Sequence, residues 1–261
     1  MTVEEPLLAA LVAGALGLAV LARATLGFGD ALVAMPLLAL LVPVGDVAVP
    51  LVAVVSLVTA VLILIGDFRS LDIREALPLV GWAIPGLAVG LWFLTVADHR
   101  LLLGLLGAVV GLVGIVGLAG DPTRWNLVRR SGWFCALAAG FLGGTFNVHG
   151  PPLVVYGTAR GWSPVRFRAI MQAYFLAAGL ILVPAHAGFG RLTSQVVVWV
   201  ALSMPAVLAA LLLGGWLNRR IPVDRFRLVA YALLALLGGL LIARALLPAF
   251  DAVIGGLTVE I

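Results

Sequence analysis

The chain has 261 residues, of which 63% are hydrophobic and only 11% are charged, and its mean hydropathy is +1.20. A soluble domain carries about a quarter of charged residues, so the composition excludes an ordinary soluble protein. The net charge of +4 comes from 16 arginines and 12 acidic residues, without any lysine. The arginines lie in short loops between apolar runs, so they indicate membrane topology and no nucleic-acid partner. The single cysteine, Cys135, excludes an intramolecular disulfide.

The apolar runs are long and carry few charges, as helices that cross a lipid bilayer require. They predict an all-α polytopic membrane protein. The N-terminal residues carry Glu4 and Glu5 but no basic residue, so we expect no cleaved signal peptide. Ten segments are predicted, at 6–23, 31–43, 47–65, 76–96, 101–119, 132–146, 151–160, 165–187, 193–216 and 226–247.

Two interruptions stand out among these segments. The first lies between the first two segments and contains Thr25, Gly27, Gly29 and Asp30, with Pro36 soon after. The second lies between the sixth and seventh segments and contains Gly143, Gly144, Thr145, Asn147, His149 and Gly150, followed by Pro151 and Pro152. Backbone groups freed by such breaks are tolerated in lipid only where protein or a water-filled cavity surrounds them. Breaks at matching places in two halves therefore predict the substrate site of a transporter.

The order of segments predicts an internal duplication. Pro36 falls opposite Pro152 at an offset of 116, and Pro85 falls opposite Pro205 at an offset of 120. Since each copy has five segments, the second copy must enter the membrane upside down. Each copy is predicted to be a broken or re-entrant hairpin followed by three transmembrane helices. The predicted units are repeat 1 at 1–119 (hairpin 6–43), a cytoplasmic linker at 120–131, repeat 2 at 132–247 (hairpin 132–160) and a C-terminal tail at 248–261.

The arginines agree with this odd number of segments. One side of the membrane receives 12 of them, namely Arg69, Arg74, Arg124, Arg129, Arg130, Arg160, Arg166, Arg168, Arg219, Arg220, Arg225 and Arg227. The other side receives only Arg100, Arg191 and Arg244, while Arg23 falls near the first break. Positive loops mark the cytoplasmic face. We therefore expect a multi-pass protein of the cell (inner) membrane with both termini in the periplasm or outside the cell.

The polar residues at the breaks are suited to an anion, because a helix N-terminus presents unpaired N–H groups and the positive end of a dipole. The alternative is that the glycines only allow helices to pack closely. The predicted substrate-binding residues are Thr25, Gly27, Gly29, Gly143, Gly144, Thr145, Asn147, His149, Gly150 and Gln172.

Three of these polar residues leave alternatives open. Asp30 could cap the helix that begins at Ala31, pair with Arg23, or exchange a proton as the coupling residue. His149 could bind an anion, relay a proton, or donate to a backbone carbonyl. Gln172 and Arg168 share a helix face and could lead an anion toward the break. Otherwise, Arg168 extends to the cytoplasmic surface and Gln172 bonds to a neighbouring helix.

The run from Gly140 to Leu153, which reads GFLGGTFNVHGPPL, resembles the second-copy signature of the TauE/SafE family of sulfite and organosulfur-anion exporters. Phe167-Arg168-Ala169 also fits the family pattern. The run from Gly27 to Asp30, followed by Pro36-Leu37-Leu38, resembles the first-copy signature, except that Asp30 stands where a third glycine is expected. The resemblance covers about residues 6–247. It implies secondary transport of small anions such as sulfite, sulfonates or short carboxylates.

Other functions are predicted less well by the sequence. A carrier of cations or neutral solutes would use Asp30 as a ligand, and a membrane assembly factor or sensor would have no cavity at the breaks. An intramembrane enzyme would need a nucleophile that the chain does not offer beside Asp30 and His149, and GxxxxGK[ST], HExxH and GxSxG motifs are absent. We therefore predict no enzymatic activity, no cofactor and no metal. The sequence does not fix the oligomeric state, and a homodimer is compatible with it.

Overall fold

A computed structural model describes residues 4–67, 73–119, 130–218 and 223–247. These residues form α-helices joined by short loops and one π-helical turn, with no strand among them. The helices are α1 (Glu4–Leu26), α2 (Asp30–Ala39), α3 (Val49–Asp67), α4 (Ile73–Val96), α5 (His99–Ala119), α6 (Gly132–Phe146), α7 (Gly150–Ala159), α8 (Pro164–Gly188), α9 (Ser194–Asn218) and α10 (Val223–Leu246), and the π turn (Val44–Ala48) precedes α3.

All ten predicted segments are confirmed as helices, with ends that differ by only a few residues. Six stretches within the described residues are long and apolar enough to cross a bilayer: Pro6–Leu26, Val44–Ile65, Ile73–Val96, His99–Leu118, Val165–Gly188 and Ser194–Leu217. The helices α2 and α7 have 10 residues each and α6 has 15, so each is too short to cross a bilayer alone. The predicted tail at 248–261 and most of the predicted linker at 120–131 lie outside the described residues, as do Arg69, Arg124, Arg129, Arg219 and Arg220.

The helices pair in a reciprocal way. With the chain divided into α1–α5 and α6–α10, α4 packs on α6 and, correspondingly, α9 packs on α1. The remaining large contacts join α5 to α10 and α3 to α8, which are each other's counterparts. Reciprocal pairing of this kind is expected when two halves of a chain are related by a pseudo-two-fold axis.

Glycines set the distance between the paired helices. A Cβ atom at Gly86 or Gly90 of α4 would overlap the backbone of α6, and one at Gly144 of α6 would overlap the backbone of α4. Gly238 of α10 lies equally close to the backbone of Gly111 in α5. Small residues let backbones approach within van der Waals contact, which is the main attraction between helices in lipid. Some of the glycines therefore allow helices to pack closely, which was the alternative to a role in substrate binding.

Two hydrophobic clusters make up the interior. The larger joins α1, α2, the first part of α3, α5, α9 and α10, and the smaller joins α4, α6, α8 and the adjoining part of α3. Phe28, in the loop between α1 and α2, packs against both clusters. The second break also contributes Phe146 and Val148 to the larger cluster. Both breaks therefore lie where the two clusters meet.

Candidate functional site

The first break is a three-residue turn that ends α1 and begins α2. Gly27 and Gly29 have φ angles of 89° and 99°, in the left-handed region that side chains with a Cβ rarely adopt. Gly29 occupies the N-cap position of α2, and Asp30 is the first residue of that helix. The alternative in which Asp30 caps a helix beginning at Ala31 is therefore wrong, because the helix starts one residue earlier and its cap residue is Gly29.

The second break has the same length and a similar course. Asn147 follows the last residue of α6 with a φ of 60°, and His149 occupies the N-cap position of α7. Pro151 and Pro152 stand in the first turn of α7, where a missing N–H leaves no intrahelical bond unmade. Asn147 lies 120 positions after Gly27, and Gly150 lies 120 positions after Asp30. Pro36 lies inside α2, so it does not correspond structurally to Pro152 at an offset of 116.

The two breaks converge on one cavity. Its lining includes Gly29, Asp30, Ala31 and Leu32 from the first break, Asn147, Val148, His149 and Gly150 from the second, and Phe175 from α8. The cavity has a volume of about 10 Å³, which is room for about one water molecule. An oxyanion with three or four heavy atoms needs more space, so binding of such an ion requires the walls to move apart.

The N-termini of two short helices face this cavity. The first N–H groups of a helix have no intrahelical acceptor. In α2 these belong to Asp30, Ala31 and Leu32, which all line the cavity. In α7, Pro151 and Pro152 carry no N–H, so fewer amides are available there. The side chains of the second break are therefore the more important donors on that side.

A buried charged network lies directly behind the first break. Nη1 of Arg23 donates to Oδ2 of Asp30 at 2.6 Å, and Oγ of Ser56 donates to the same carboxylate oxygen at 2.5 Å. Nη2 of Arg23 donates to Oε1 of Gln172 at 2.7 Å, and Nε2 of Gln172 donates to the carbonyl oxygen of Gly27 at 3.1 Å. Four helices thus meet through these side chains. The pairing of Asp30 with Arg23, one of the alternatives from the sequence, is confirmed.

The second break contributes a polar atom that has no protein partner. His149 and Asn147 contact each other, with Nε2 of His149 3.2 Å from Oδ1 of Asn147. Nδ2 of Asn147 is buried without a hydrogen bond at a residue that lines the cavity. Nδ1 of His149 lies on the other side of the ring, against Gly143 and near the carbonyl oxygen of Ala139 in α6. The hydroxyl of Tyr174, whose ring lies 5.4 Å from that of His149, is also buried and unbonded. Buried polar atoms in native proteins nearly always have a partner, so the unpaired amide of Asn147 at the cavity indicates a ligand.

Several residues predicted for the site lie elsewhere. The hydroxyl of Thr145 donates to the carbonyl oxygens of Gly90 and Phe141, and that of Thr25 donates to the carbonyl oxygen of Leu21. Gly144 packs on α4, as described above. Gly143 lies against the imidazole of His149, and its lack of a side chain makes room for that ring.

Arg168 turns inward to the first break. Its Nη2 donates to the carbonyl oxygen of Ala24 at 3.0 Å, and its stem lies against Gly27, where a Cβ atom would overlap it. The side chain is only partly buried, so the alternative in which Arg168 reaches the cytoplasmic surface stays a prediction. Arg23, Ser56 and Phe175 are prominent in the structure but were not predicted as site residues.

Comparison with known proteins identifies the family of the chain. The family model described as Sulfite exporter TauE/SafE matches residues 8–241, which is most of the chain. The chain belongs to the TauE/SafE family. A probable sulfite/organosulfonate exporter TauE from Cupriavidus necator is 30% identical over 219 residues, covering 81% of this chain and 82% of the relative. No solved structure matches the chain.

Membership of the TauE/SafE family determines the general activity. The family consists of exporters, so the chain is a transporter of small anions and not an enzyme. Its apolar helices place it in a membrane as a multi-pass protein. The resemblance in the glycine-rich runs is thereby confirmed at the level of the family.

Proposed function

We propose that this TauE/SafE protein is a secondary transporter that holds one small sulfur oxyanion between the two breaks. The observation that carries the proposal is the cavity, because both breaks line it and the unpaired amide donor of Asn147 is buried at its wall. Sulfite and organosulfonates are the proposed substrates, since the relative from Cupriavidus necator is named for them. Each offers several oxygen acceptors to convergent N–H donors.

The proposed movement is alternating access. The two halves, 1–119 and 132–247, are proposed to be inverted repeats, with both termini outside the cytoplasm. Reciprocal packing of α4 on α6 and α1 on α9 supports a relation of this kind. A cavity of about 10 Å³ is too small to hold the substrate in the present conformation. Rocking of one half against the other would open it first to one side and then to the other.

The proposed binding residues fall into two groups. Gly29, Asn147, His149 and Gly150 line the cavity and are proposed to contact the anion. The others shape the breaks or support them. Gln172 donates to the carbonyl oxygen of Gly27, and the hydroxyls of Thr25 and Thr145 donate to backbone carbonyls. Gly143 and Gly144 pack closely against their neighbours. Asp30 is proposed as the coupling residue.

A carrier of cations through Asp30 is less well supported. The carboxylate already accepts from Arg23 and Ser56 and stands beside a fixed positive charge. A cation entering the cavity would be repelled by the Arg23 guanidinium unless that side chain moved away.

Transport assays in proteoliposomes test the proposed function. Liposomes containing the purified chain are loaded with sulfite, thiosulfate, methanesulfonate or acetate, and efflux down the gradient is recorded. We expect His149→Leu, which keeps volume but removes both ring nitrogens, to lower sulfite efflux about tenfold, as the loss of one hydrogen bond to a charged group does. Ser203→Ala is the matched control, because Ser203 is buried in α9 and bonds only to the carbonyl oxygen of Trp199.

Two results would refute the site. One is wild-type efflux of none of these anions. The other is unchanged efflux of every transported anion in both His149→Leu and Asn147→Gly, since the second variant removes the amide from the cavity wall and the first removes the ring that contacts this amide group.

A further inference from the structure

Arg23 is a fully buried charge in a membrane-spanning helix. Its side chain has 0% exposure, and Asp30 is its ion-pair partner. A charge inside the bilayer is costly and is retained where it pairs or functions. His149 lines the same cavity as Asp30 and lies beside Tyr174 of α8, Arg168 of α8 bonds to the end of α1, and α3 contributes the uncharged Ser56. Together, the Arg23 and Asp30 side chains carry no net charge.

One N–H donor of the Arg23 guanidinium has no hydrogen-bond partner. Arginine has five N–H donors. In Arg23, Nη1 serves Asp30 and the carbonyl oxygen of Ser56, and Nη2 serves Gln172, whereas Nε is buried without a partner. If the Asp30 carboxylate moves away, Nη1 also becomes available to donate to an oxygen of a carboxylate or sulfonate.

Two residues that contact Arg23 also line the cavity. The ring of Phe175 lies 4.4 Å from Cζ of Arg23, and Phe175 lines the cavity. Asp30 contacts Arg23 and also lines the cavity. The Asp30 carboxylate therefore occupies the position from which an anion in the cavity could contact the guanidinium of Arg23.

We propose that Arg23 is the charge partner of the transported anion, and that the anion binds by displacing the Asp30 carboxylate, which takes up a proton. This inference rests on the proposed function, because it assumes that an anion enters this cavity. Before binding, the site holds one guanidinium and one carboxylate. After binding, it holds one guanidinium, one substrate anion and one neutral carboxylic acid, and the added proton comes from the aqueous side to which the cavity is open.

The exchange keeps the buried site neutral in both states. Two anions side by side would repel each other in a low-dielectric site, which favours the neutral acid. An uncompensated guanidinium would be equally costly. On the opposite side, the acid releases its proton and Asp30 binds Arg23 again, which expels the anion. The cycle carries one proton with each monovalent anion in the same direction, so transport is electroneutral.

The response to membrane potential tests this exchange. Methanesulfonate efflux is to be recorded from proteoliposomes that contain the wild-type chain. Potassium and valinomycin set the membrane potential, and a pH-sensitive dye reports the pH of the lumen. Methanesulfonate remains monovalent, so every proton recorded belongs to the protein. A cycle that moved one net charge would change the equilibrium anion gradient about fifty-fold per 100 mV. We expect no such change, and we expect one proton to leave the lumen with each anion.

Asp30→Asn should convert the exchange into charged transport. The amide keeps the size of the side chain but cannot take up a proton, so the flux should follow the imposed potential and leave the lumen pH unchanged. Ser56→Ala is the matched control, because it removes the other hydrogen bond to the Asp30 carboxylate and leaves both charges in place. It should remain electroneutral.

The outcomes separate the inference from the proposed function. Wild-type efflux that follows the potential without proton movement overturns the inference and leaves anion transport intact. Absence of efflux for every anion refutes the proposed function, and the inference is refuted with it. If Asp30→Asn does not fold, the wild-type stoichiometry decides alone. If the chain moves sulfite but not methanesulfonate, the response of sulfite efflux to the potential decides in acidic buffer, where bisulfite predominates.

Discussion

Gly27 and Asn147 take the same left-handed backbone conformation 120 positions apart, each directly after the helix that precedes a break. Gly27 adopts it without strain because it has no Cβ atom. Asparagine is the next most tolerant residue there, since its short polar side chain bonds locally. Asn147 therefore combines the backbone requirement of the break with an amide group at the cavity wall.

This double role separates two substitutions of Asn147. Asn147→Gly should keep the stability of the wild type and lower anion efflux, because it retains the conformation but removes the amide. Asn147→Ala should lower efflux similarly and also cost about 1 kcal/mol of stability, since alanine is strained at a φ of 60°. Thermal unfolding in detergent, together with efflux from proteoliposomes, measures both effects. Wild-type efflux in Asn147→Gly would show that Asn147 is present only for its conformation.

The helices and both breaks could be predicted because their signals are local. Apolar runs define the helices, and the glycines and prolines between them mark where each helix ends. The hydrogen-bond network of Arg23 could not be predicted from local signals. Its partners Ser56 and Gln172 are 33 and 149 positions away, so no spacing in the sequence brings them together.

The direction in which a side chain points could not be predicted from the sequence either. Thr145 lies among the polar residues of the second break in sequence, but its hydroxyl bonds to Gly90 of α4, 55 positions away. Which side of α6 faces α4 depends on the packing of glycines from two distant segments. For this reason the sequence predicted the two breaks better than the residues that line the cavity between them.

Adjacent glycines in α10 test the packing of the paired helices. A Cβ atom at Gly238 would overlap the backbone of α5, whereas one at Gly239 would meet nothing within 4 Å. Gly238→Ala should therefore lower the melting temperature by several degrees, because the helices must move apart. Gly239→Ala should leave it unchanged or raise it, since alanine favours a helix by about 1 kcal/mol over glycine. Equal melting temperatures for the two variants would contradict the close contact of α5 and α10.

Corresponding positions in the two halves test the proposed inversion. Pro43 and Ser163 are both exposed, lie 120 positions apart, and precede the π turn and α8 respectively. In a background with Cys135→Ala, which removes the native cysteine, Pro43→Cys should react with an impermeant maleimide from outside intact cells. Ser163→Cys should react only after the membrane is opened. Labelling of both from the same side would refute the inverted arrangement.

The ion pair of Arg23 and Asp30 makes a prediction for stability that does not depend on transport. Arg23→Met keeps the length of the side chain but leaves the Asp30 carboxylate buried without its countercharge, although uncharged groups such as the Ser56 hydroxyl still donate to it. Breaking one partner of a buried pair costs about 3–5 kcal/mol. The loss should be measured as a fall in the melting temperature of the purified chain in detergent. Adding Asp30→Asn removes the stranded charge, so the double variant should be more stable than Arg23→Met. If the double variant were less stable instead, the loss in Arg23→Met would come from the contacts of Arg23 with Gln172 and Phe175 and not from its charge.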